Sequence, residues 1–347
     1  MSTADPNNKT PSAPGPYFLG IDLGGTNIKA GVVANCGTPV SQCSTPTLAA
    51  EGSGTGVPRM CNIGEQAIVD AGLSRDDITA VGVATPGTMD IPAGLLLDPP
   101  NLPGWDNVPI RKQIGDHFSK PATLQNDANA AAYGEYWAGA AKDANSLAFW
   151  TLGTGVGGGI IIGDTIVEGQ NSHGSECGHL ILEMDGGRLC EGTGQWGTLE
   201  AYASATALVK RCNEGLEAGC RTSIRKRLES GEELTPILIG EEATCGDEFA
   251  DQLIMETARF LGVGTTTVMH VVNPAMVLIG GAMTFGRHDT ELGRRFLDRV
   301  REEVQSRAFT VPAKNTVIDY ATLGGDAGFI GAAGCARLDF KRSNRPS

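Results

Sequence analysis

Long apolar runs, basic blocks and an ordered cysteine spacing are all missing from this sequence of 347 residues. No apolar run approaches the roughly 20 residues that cross a bilayer, and the polar first residues lack the apolar segment of a signal peptide. The nine cysteines lie between Cys36 and Cys335 without a repeating spacing, which favours reduced thiols over a disulfide framework. We therefore expect a cytoplasmic protein that does not enter a membrane.

Positive charge is sparse as well, because 27 Lys and Arg stand against 40 Asp and Glu, for a formal net charge of −13. The densest basic stretch, from Arg221 to Arg227, is short and is followed by acidic residues. Proteins that bind nucleic acid through charge neutralise phosphates with clustered Lys and Arg. We therefore expect no nucleic-acid partner.

Glycine is abundant, and the 48 glycines cluster in short runs between apolar segments without a collagen-like period. Such a glycine usually marks a tight turn or a close approach of the backbone to a ligand. The length predicts two packed lobes. Residues 1–16 carry four prolines and few apolar side chains, and we expect them to form a disordered tail.

Apolar runs alternate with amphipathic segments along the rest of the chain, which indicates an α/β architecture. The patterns predict strands over residues 17–22, 28–33, 80–84, 146–152, 160–162, 276–281 and 316–320. They predict helices over residues 61–71, 109–118, 128–141, 199–228, 241–269, 292–306 and 328–336.

Two segments repeat the order strand, glycine-and-threonine turn, strand, which we interpret as an internal duplication. The first is Asp22-Leu23-Gly24-Gly25-Thr26-Asn27, and the second turn runs from Gly153-Thr154-Gly155 to Gly159. Each turn alone fits a plain hairpin, but together they favour two phosphate loops whose backbone N–H groups converge on an anion. The first is not a Walker loop, because the Gly-Lys-Ser/Thr ending is missing. Asp22, at the end of its strand, is suited to hold Mg²⁺ directly or through water.

Further acidic and imidazole side chains are candidates for chemistry. Asp127 lies between a predicted strand and a helix, where local sequence favours a helix N-cap and a general base is the alternative. Glu176 and His179 are three residues apart, a spacing that suits a shared metal, neighbouring sugar hydroxyls or a buried structural histidine. Glu200 begins a predicted helix and fits a first-turn carboxylate.

Taken in order from Tyr17 to Ala336, these segments resemble the ROK family of bacterial sugar kinases and repressors, its glucokinase members in particular. The two glycine turns look like the family's phosphate loops, and Asn126-Asp127-Ala128-Asn129-Ala130-Ala131 looks like its catalytic segment. Leu278-Ile279-Gly280-Gly281-Ala282 resembles the adenosine-contacting turn of actin-like ATPases.

The resemblance implies an α/β fold of two actin-like (ribonuclease H-like) lobes with a central cleft. We expect a small lobe over residues 17–130, a large lobe over 131–324 and a C-terminal helix over 325–340 that returns to the small lobe. It also implies ATP and Mg²⁺ as cofactors, with Mg²⁺ carried by ATP near Asp22. The residues expected to bind the nucleotide are Asp22, Gly24, Gly25, Thr26, Asn27, Lys29, Gly153, Thr154, Gly155, Gly280 and Gly281.

The reaction that the resemblance implies is phosphorylation of the 6-hydroxyl of glucose, with Asp127 as the general base. The expected sugar contacts are Gly87, Asn101, Asn126, Asp127, Glu176, His179 and Glu200. Another hexose or N-acetylhexosamine stays open as substrate, and polyphosphate stays open as donor. A sugar-sensing repressor is disfavoured because only sixteen residues precede Tyr17. A homodimer is possible within the family.

The sequence departs from the family at its structural zinc site. Family members follow the Glu-x-Gly-His segment with three cysteines that join the histidine around zinc. Aligned back from Glu200, the three cysteine positions here hold Glu191, Thr193 and Thr198, and Cys190 is one place out of register. Because structural zinc prefers four sulfur or imidazole ligands, we expect no structural zinc.

Overall fold

The structure is a computed structural model that describes residues 13–99 and 102–344. Most of the predicted tail, together with the predicted sugar contact Asn101, therefore lies outside the described residues. Of the helices that the structure describes, none combines the length and apolar character that a bilayer crossing needs.

Strands and helices alternate as expected for an α/β chain. The strands are β1 Tyr17–Leu23, β2 Asn27–Ala34, β3 Cys43–Pro46, β4 Ile78–Thr85, β5 Thr88–Asp90, β6 Leu95–Asp98, β7 Ala122–Asn126, β8 Ser146–Leu152, β9 Val156–Ile162, β10 Thr165–Ile166, β11 Leu189–Cys190, β12 Gln195–Trp196, β13 Met276–Gly281 and β14 Val317–Tyr320. The helices are α1 Ser53–Asp70, α2 Ile110–Phe118, α3 Asp127–Trp137, α4 Glu200–Ala203, α5 Ala205–Glu217, α6 Ile224–Glu229, α7 Pro236–Thr244, α8 Glu248–Val272, α9 Glu291–Arg307, α10 Thr310–Asn315 and α11 Ala327–Ser343.

The chain forms two compact units. Unit 1 comprises residues 1–143, 159–175 and 322–347, and unit 2 comprises residues 144–158 and 176–321. The chain therefore passes between the units four times. The boundary that the sequence suggested at 130/131 falls within α3, a helix of unit 1.

Unit 1 contains a five-stranded sheet in the order β3-β2-β1-β4-β7. Strands β1 and β2 form the predicted antiparallel hairpin, whereas β4 is parallel to both β1 and β7. The carboxyl ends of β1, β4 and β7 therefore lie at one edge of the sheet, the place where parallel sheets usually bind ligands.

Apolar side chains cover both faces of this sheet. One face packs on α1 and α2 through a cluster that includes Leu19, Met60 and Phe118. The other packs on α11 through Phe18, Ala80 and Phe329. Helix α11 lies so close that a Cβ on Gly20 or Gly82 would overlap the carbonyl oxygens of Phe329 and Ala332.

A buried carboxylate fixes the chain just before α11. Glu135 of α3 is fully buried, and its Oε1 accepts from the N–H groups of Thr322 and Leu323 at 2.9 and 2.6 Å. Its Oε2 accepts from the N–H of Ala140 at 2.9 Å. Buried carboxylates need such donors, because an unpaired buried charge is costly. The start of α11 is thereby placed beside the end of β1.

Unit 2 has its own sheet, in which β13 is parallel to both β8 and β14 and the first residues of β9 lie next to β8. Helices α8 and α9 pack against each other. Large buried side chains such as Trp150, Leu261 and Phe296 fill the core of this unit.

Several helix boundaries differ from the sequence prediction. Helix α1 begins at Ser53, eight residues before the predicted start, because Gly54, Gly56 and Pro58 interrupt the helical pattern of its first turns. Gly56 is required there, since a Cβ would overlap the Trp105 ring. Helix α11 continues to Ser343, beyond the predicted end at residue 336.

The two long helices predicted over residues 199–228 and 241–269 were wrong. The first is divided into α4, α5 and α6, and Ser204 leaves the helix with ψ 165° to cap α5 through Ala207 N–H. The second is divided into α7 and α8, and the Asp247 side chain caps α8 by accepting from Ala250 N–H. At both breaks a capping side chain accepts from a backbone N–H of the following helix, which favours a new helix start over continuation of the preceding helix.

Candidate active site

The first glycine turn in unit 1 lies between β1 and β2, as predicted. Gly24 N–H donates to the Asn27 carbonyl at 3.0 Å, and the Thr47 hydroxyl donates to the Gly24 carbonyl at 2.6 Å. Gly25, Thr26 and Asn27 are exposed. The turn is therefore held from its carbonyl side, while its tip faces solvent.

Asp22 lies in β1 just before this turn, in a setting that disfavours its charge. Burial, and after it the negative charge of Asp127, raises the pKa of its carboxyl group to about 7, against the opposing effect of Lys29. A Cβ on Gly328, at the start of α11, would overlap the Asp22 carboxylate. Two acidic groups that interact in a partly buried place suit a hard cation such as Mg²⁺, which usually takes one or two carboxylates.

Lys29 is held near the same place. Its ammonium group donates to the Gly325 carbonyl at 2.6 Å and lies 3.7 Å from the Asp326 carboxylate. The Lys29–Asp326 ion pair is half exposed, so it contributes little to stability. It nevertheless fixes the position of the Lys29 ammonium group near Asp22. The sequence analysis did not single out Asp326, which lies 297 residues from Lys29 in the sequence and carried no local signal.

Asn126 and Asp127 lie where β7 ends and α3 begins. The structure assigns the helix cap to Asn126, whose Oδ1 accepts from the N–H groups of Ala128 and Asn129 at 2.9 and 3.2 Å. The interpretation of Asp127 as the N-cap was therefore wrong, because Asp127 is already the first residue of the helix. Its Oδ1 accepts from Ala128 N–H at 2.8 Å.

The remaining predicted sugar contact in unit 1 is Gly87. It follows β4 with φ 89°, and a Cβ there would lie 2.5 Å from Cα of Pro99. Gly87 is thus packed against the segment that leads to Asn101, the predicted contact outside the described residues.

In unit 2, the second glycine turn is shorter than predicted, because β9 begins at Val156 and leaves only Gly153, Thr154 and Gly155 between the strands. We call these three residues the second loop. Strand β13 lies beside β8 in register, with Gly280 opposite Thr151 and Gly281 opposite Leu152. The structure therefore brings the predicted adenosine turn next to the second loop.

Val156, the first residue of β9, contacts both Glu200 and the short turn that carries Glu176 and His179. Cys177–His179 form a short 3-10 turn that follows Glu176, and a Cβ on Gly178 would overlap the Val156 carbonyl. Glu200 Oε2 accepts from Val156 N–H at 2.8 Å. Among the residues that the structure describes, none forms a hydrogen bond with the buried His179 Nδ1, and buried polar atoms of this kind usually bond to a ligand or to water.

Of the side chains at and beside the family's zinc positions, Glu191 and Cys190 bond to other residues, and Thr193 and Thr198 are poor zinc ligands. Glu191 pairs with Lys210 at 2.7 Å, and the Cys190 thiol donates to Glu200 Oε1 at 3.0 Å. Burial raises the pKa of the Cys190 thiol, which disfavours the thiolate that binds zinc. Among the described residues, no group of three or more His, Cys, Asp or Glu side chains is placed to hold a metal ion. The donor set does not fit structural zinc.

A polar network that the sequence analysis missed joins the same segment to α4 and α5. The Tyr202 hydroxyl accepts from Arg188 N–H at 2.9 Å and donates to Glu183. The Arg188 guanidinium forms a bidentate pair with Glu214 at 2.7 Å for each bond. Bidentate Arg–carboxylate pairs are geometrically specific, so this pair fixes the position of the segment relative to α5.

The predicted residues thus fall into two groups. Unit 1 holds Gly87, Asn126, Asp127 and the first turn with Asp22 and Lys29. Unit 2 holds Glu176, His179, Glu200, the second loop and the double glycine at the end of β13.

Comparison with known proteins gives the family. The sequence model of the ROK family matches residues 18–338. The chain belongs to the ROK family. Among its ROK relatives, a glucokinase from Thermotoga maritima is 30% identical over 316 residues, which cover 91% of this chain and 96% of the relative.

Solved ROK structures share the fold. The ROK hexokinase from Thermus thermophilus matches with a TM-score of 0.79 at 30% identity, covering 94% of this chain and 99% of that one. A ROK family glucokinase from Streptomyces griseus in complex with glucose and AMPPNP matches with a TM-score of 0.72 at 31% identity, covering 92% and 99%. The fold of this chain is therefore the actin-like α/β fold of ROK sugar kinases.

ROK relatives are not all kinases. A xylose repressor from Caldicellulosiruptor bescii is 30% identical over 259 residues, which cover 75% of this chain but 62% of the relative. Membership of the ROK family therefore does not distinguish a kinase from a repressor, and the residues of the site must do so.

Proposed function

We propose that this ROK protein is a sugar kinase that transfers the γ-phosphoryl group of ATP to the 6-hydroxyl of glucose. The observation that carries the proposal is that Asp22, near the end of β1, and Asp127, directly after β7, lie at the same carboxyl edge of the sheet, where the charge of Asp127 adds to the rise in the pKa of Asp22. A repressor needs to recognise a sugar but has no need for a general base beside a cation site. The relatives that are named glucokinases support the same activity.

Asp127 is proposed as the general base. Its carboxylate accepts the proton of the 6-hydroxyl as that oxygen attacks phosphorus in line, and ADP leaves. Phosphoryl transfer needs little covalent help, so most of the acceleration comes from position and charge stabilisation. Mg²⁺ held near Asp22 would offset the phosphate charge when ATP is bound.

The other polar groups are proposed to hold the substrates. In unit 1, the Asn126 amide N–H₂ group is suited to donate to a sugar oxygen, because its carbonyl oxygen serves the helix cap. In unit 2, Glu176, His179 and Glu200 supply acceptors and an imidazole suited to sugar hydroxyls. A site committed to such pairs rejects analogues that lack a hydroxyl.

Asp127→Asn tests the base. We expect kcat for glucose phosphorylation to fall by about 10²- to 10⁴-fold, the usual contribution of a general base, while glucose affinity measured by calorimetry stays near that of the wild type. Asp116→Asn is the matched control, since Asp116 is an exposed carboxylate paired only with Lys112. Near wild-type turnover in the Asp127→Asn protein would contradict the assignment.

The substrate is tested with a panel of sugars and two donors. Glucose, N-acetylmannosamine, N-acetylglucosamine, fructose and allose are compared at equal concentration with ATP and Mg²⁺, and glucose is also tested with polyphosphate. We expect the highest kcat/KM for glucose with ATP. Binding of a sugar without phosphorylation of any sugar would instead favour a non-catalytic sugar sensor.

A further inference from the structure

The second loop is tied to the junction of α4 and α5 through its carbonyl groups. Ala205 N–H donates to the Gly153 carbonyl at 2.9 Å, and the Thr206 hydroxyl donates to the Thr154 carbonyl at 2.9 Å. The third carbonyl, of Gly155, accepts from Gly153 N–H at 3.0 Å. All three carbonyls of the loop are therefore engaged inside unit 2.

Glu200, the first residue of α4, holds the other end of the loop. Its Oε2 accepts from Val156 N–H at 2.8 Å, and Gly155 is pressed so close that a Cβ there would overlap the same oxygen. The Cys190 thiol fixes the second oxygen of Glu200 at 3.0 Å. Since glycine backbone is otherwise free to adopt many conformations, these bonds decide which one the loop takes.

Peptide planarity then sets the direction of the loop's N–H groups. In a trans peptide the carbonyl of one residue and the N–H of the next point in opposite directions. Because the carbonyls of Gly153 and Thr154 point to the α4–α5 junction, the N–H groups of Thr154 and Gly155 point away from it. Two successive N–H groups on one side form an arrangement that binds anions.

We propose that Thr206 is a positioning residue for nucleotide phosphate, acting through the second loop together with the Ala205 N–H and Glu200. The inference rests on the proposed function and deepens it, because it identifies what makes the second loop receptive to phosphate. Thr206 orients the Thr154–Gly155 peptide and need not touch the nucleotide itself. The local sequence gave no sign of this role, since Thr206 lies 52 residues from Thr154.

Thr206→Val and Thr206→Ser form the first test, since valine has a similar shape without a hydroxyl and serine restores the donor. For Thr206→Val we expect KM for ATP and Kd for ADP to rise about three- to tenfold, because this ratio corresponds to the usual free-energy contribution of one hydrogen bond. KM for glucose should stay unchanged, and Thr206→Ser should return both nucleotide constants to near wild type. A structural defect of α5 would instead lower the melting temperature and would not affect the nucleotide constants while leaving KM for glucose unchanged.

Ala205→Pro is the second test and removes a different bond. Proline is well tolerated at the first position of a helix, and Ser204 already has the extended backbone that precedes proline. The variant lacks only the N–H that holds the Gly153 carbonyl, so we expect weaker ADP binding with an intact fold by circular dichroism.

The outcomes separate the inference from the proposed function. Unchanged ADP affinity in both Thr206→Val and Ala205→Pro would overturn the inference, even if the wild type phosphorylates glucose. If the wild type phosphorylates no sugar but binds ADP, and both variants bind ADP more weakly, the inference stands and the proposed kinase activity fails.

Discussion

Asp22 illustrates how a single carboxylate gains its properties from its surroundings. Its position before a glycine turn is visible in the sequence, but its pKa of about 7 arises from burial and from the charge of Asp127. Lys29 opposes the shift only in part, and its ammonium group also contacts Gly325 and Asp326. At neutral pH the carboxylate therefore costs the fold free energy unless a cation is bound.

The pH dependence of stability tests this property. The folded-state pKa lies above the ordinary value of 3.8, so the contribution of Asp22 is most favourable below pH 4 and is lost as pH rises to about 7. We expect Asp22→Asn to be more stable than wild type at pH 8, by on the order of a few kcal/mol, and the gain to shrink toward pH 5. Urea unfolding at both pH values measures it.

The exposed Asp116→Asn variant is the control, because its carboxylate pairs with Lys112 at the surface, where an ion pair contributes little to stability. An equal stability change at pH 5 and pH 8 for Asp22→Asn would show that the Asp22 pKa is not raised. Nucleotide-free, Mg²⁺-free protein is required, since a bound cation would neutralise the carboxylate.

At the scale of elements, the packing of α11 on the unit 1 sheet decides where the end of β1 meets Gly328. The contact is backbone against backbone, because Gly20 and Gly82 present no side chain to α11. Such close packing transmits small shifts directly, since protein interiors have few voids to absorb them. The site around Asp22 therefore depends on two glycines in the middle of strands.

Gly82→Ala and Gly54→Ala make the same substitution at a crowded position in β4 and at an open position in α1, and together they test the packing of α11. A methyl group at residue 82 would overlap the Ala332 carbonyl, whereas at residue 54, in α1, it would meet no heavy atom within 4 Å. We expect Gly82→Ala to destabilise by about 3 kcal/mol or more through overpacking. Gly54→Ala should stabilise by about 0.5 to 1 kcal/mol, because alanine favours helix.

Guanidinium unfolding of both variants measures the difference. If Gly82→Ala were as stable as wild type, α11 would not lie against β4 as the structure has it. Activity should follow the same order, since displacement of α11 also displaces the residues beside Asp22.

At the scale of the whole molecule, each unit has a sheet, a core and some of the predicted site residues. Unit 1 supplies the proposed base and cation site, and unit 2 supplies the second loop with Glu176, His179 and Glu200. The chain crosses between the units four times, and a ligand that binds only the folded chain stabilises it by mass action. Ligand binding to the folded protein should therefore be visible in the thermal unfolding of the chain.

Glucose should raise the melting temperature in a concentration-dependent way. A ligand at about 100 times its Kd stabilises the folded state by about 2.7 kcal/mol, and scanning calorimetry with and without glucose measures the shift. Glycerol at the same molar concentration is the control for non-specific effects of polyols. A melting temperature that no hexose changes would argue against a sugar site of any kind.

The sequence by itself determined the short-range features. The first hairpin, the strands at 146–152 and 276–281, and the order of the motifs depend on apolar runs and turn residues that are neighbours in the chain. Its charge and composition also disfavoured a membrane or nucleic-acid partner. The hairpin and strand predictions succeeded because the residues that determine these elements are close together in sequence.

Only the tertiary structure decided how the site residues are used. It assigned the helix cap to Asn126, broke two predicted helices at Ser204 and Asp247, and joined Glu200 to Val156 across 44 residues of sequence. It also paired Lys29 with the chain 296 residues away. Contacts at such separations depend on how distant elements pack, and the conformational preferences of neighbouring residues do not predict them.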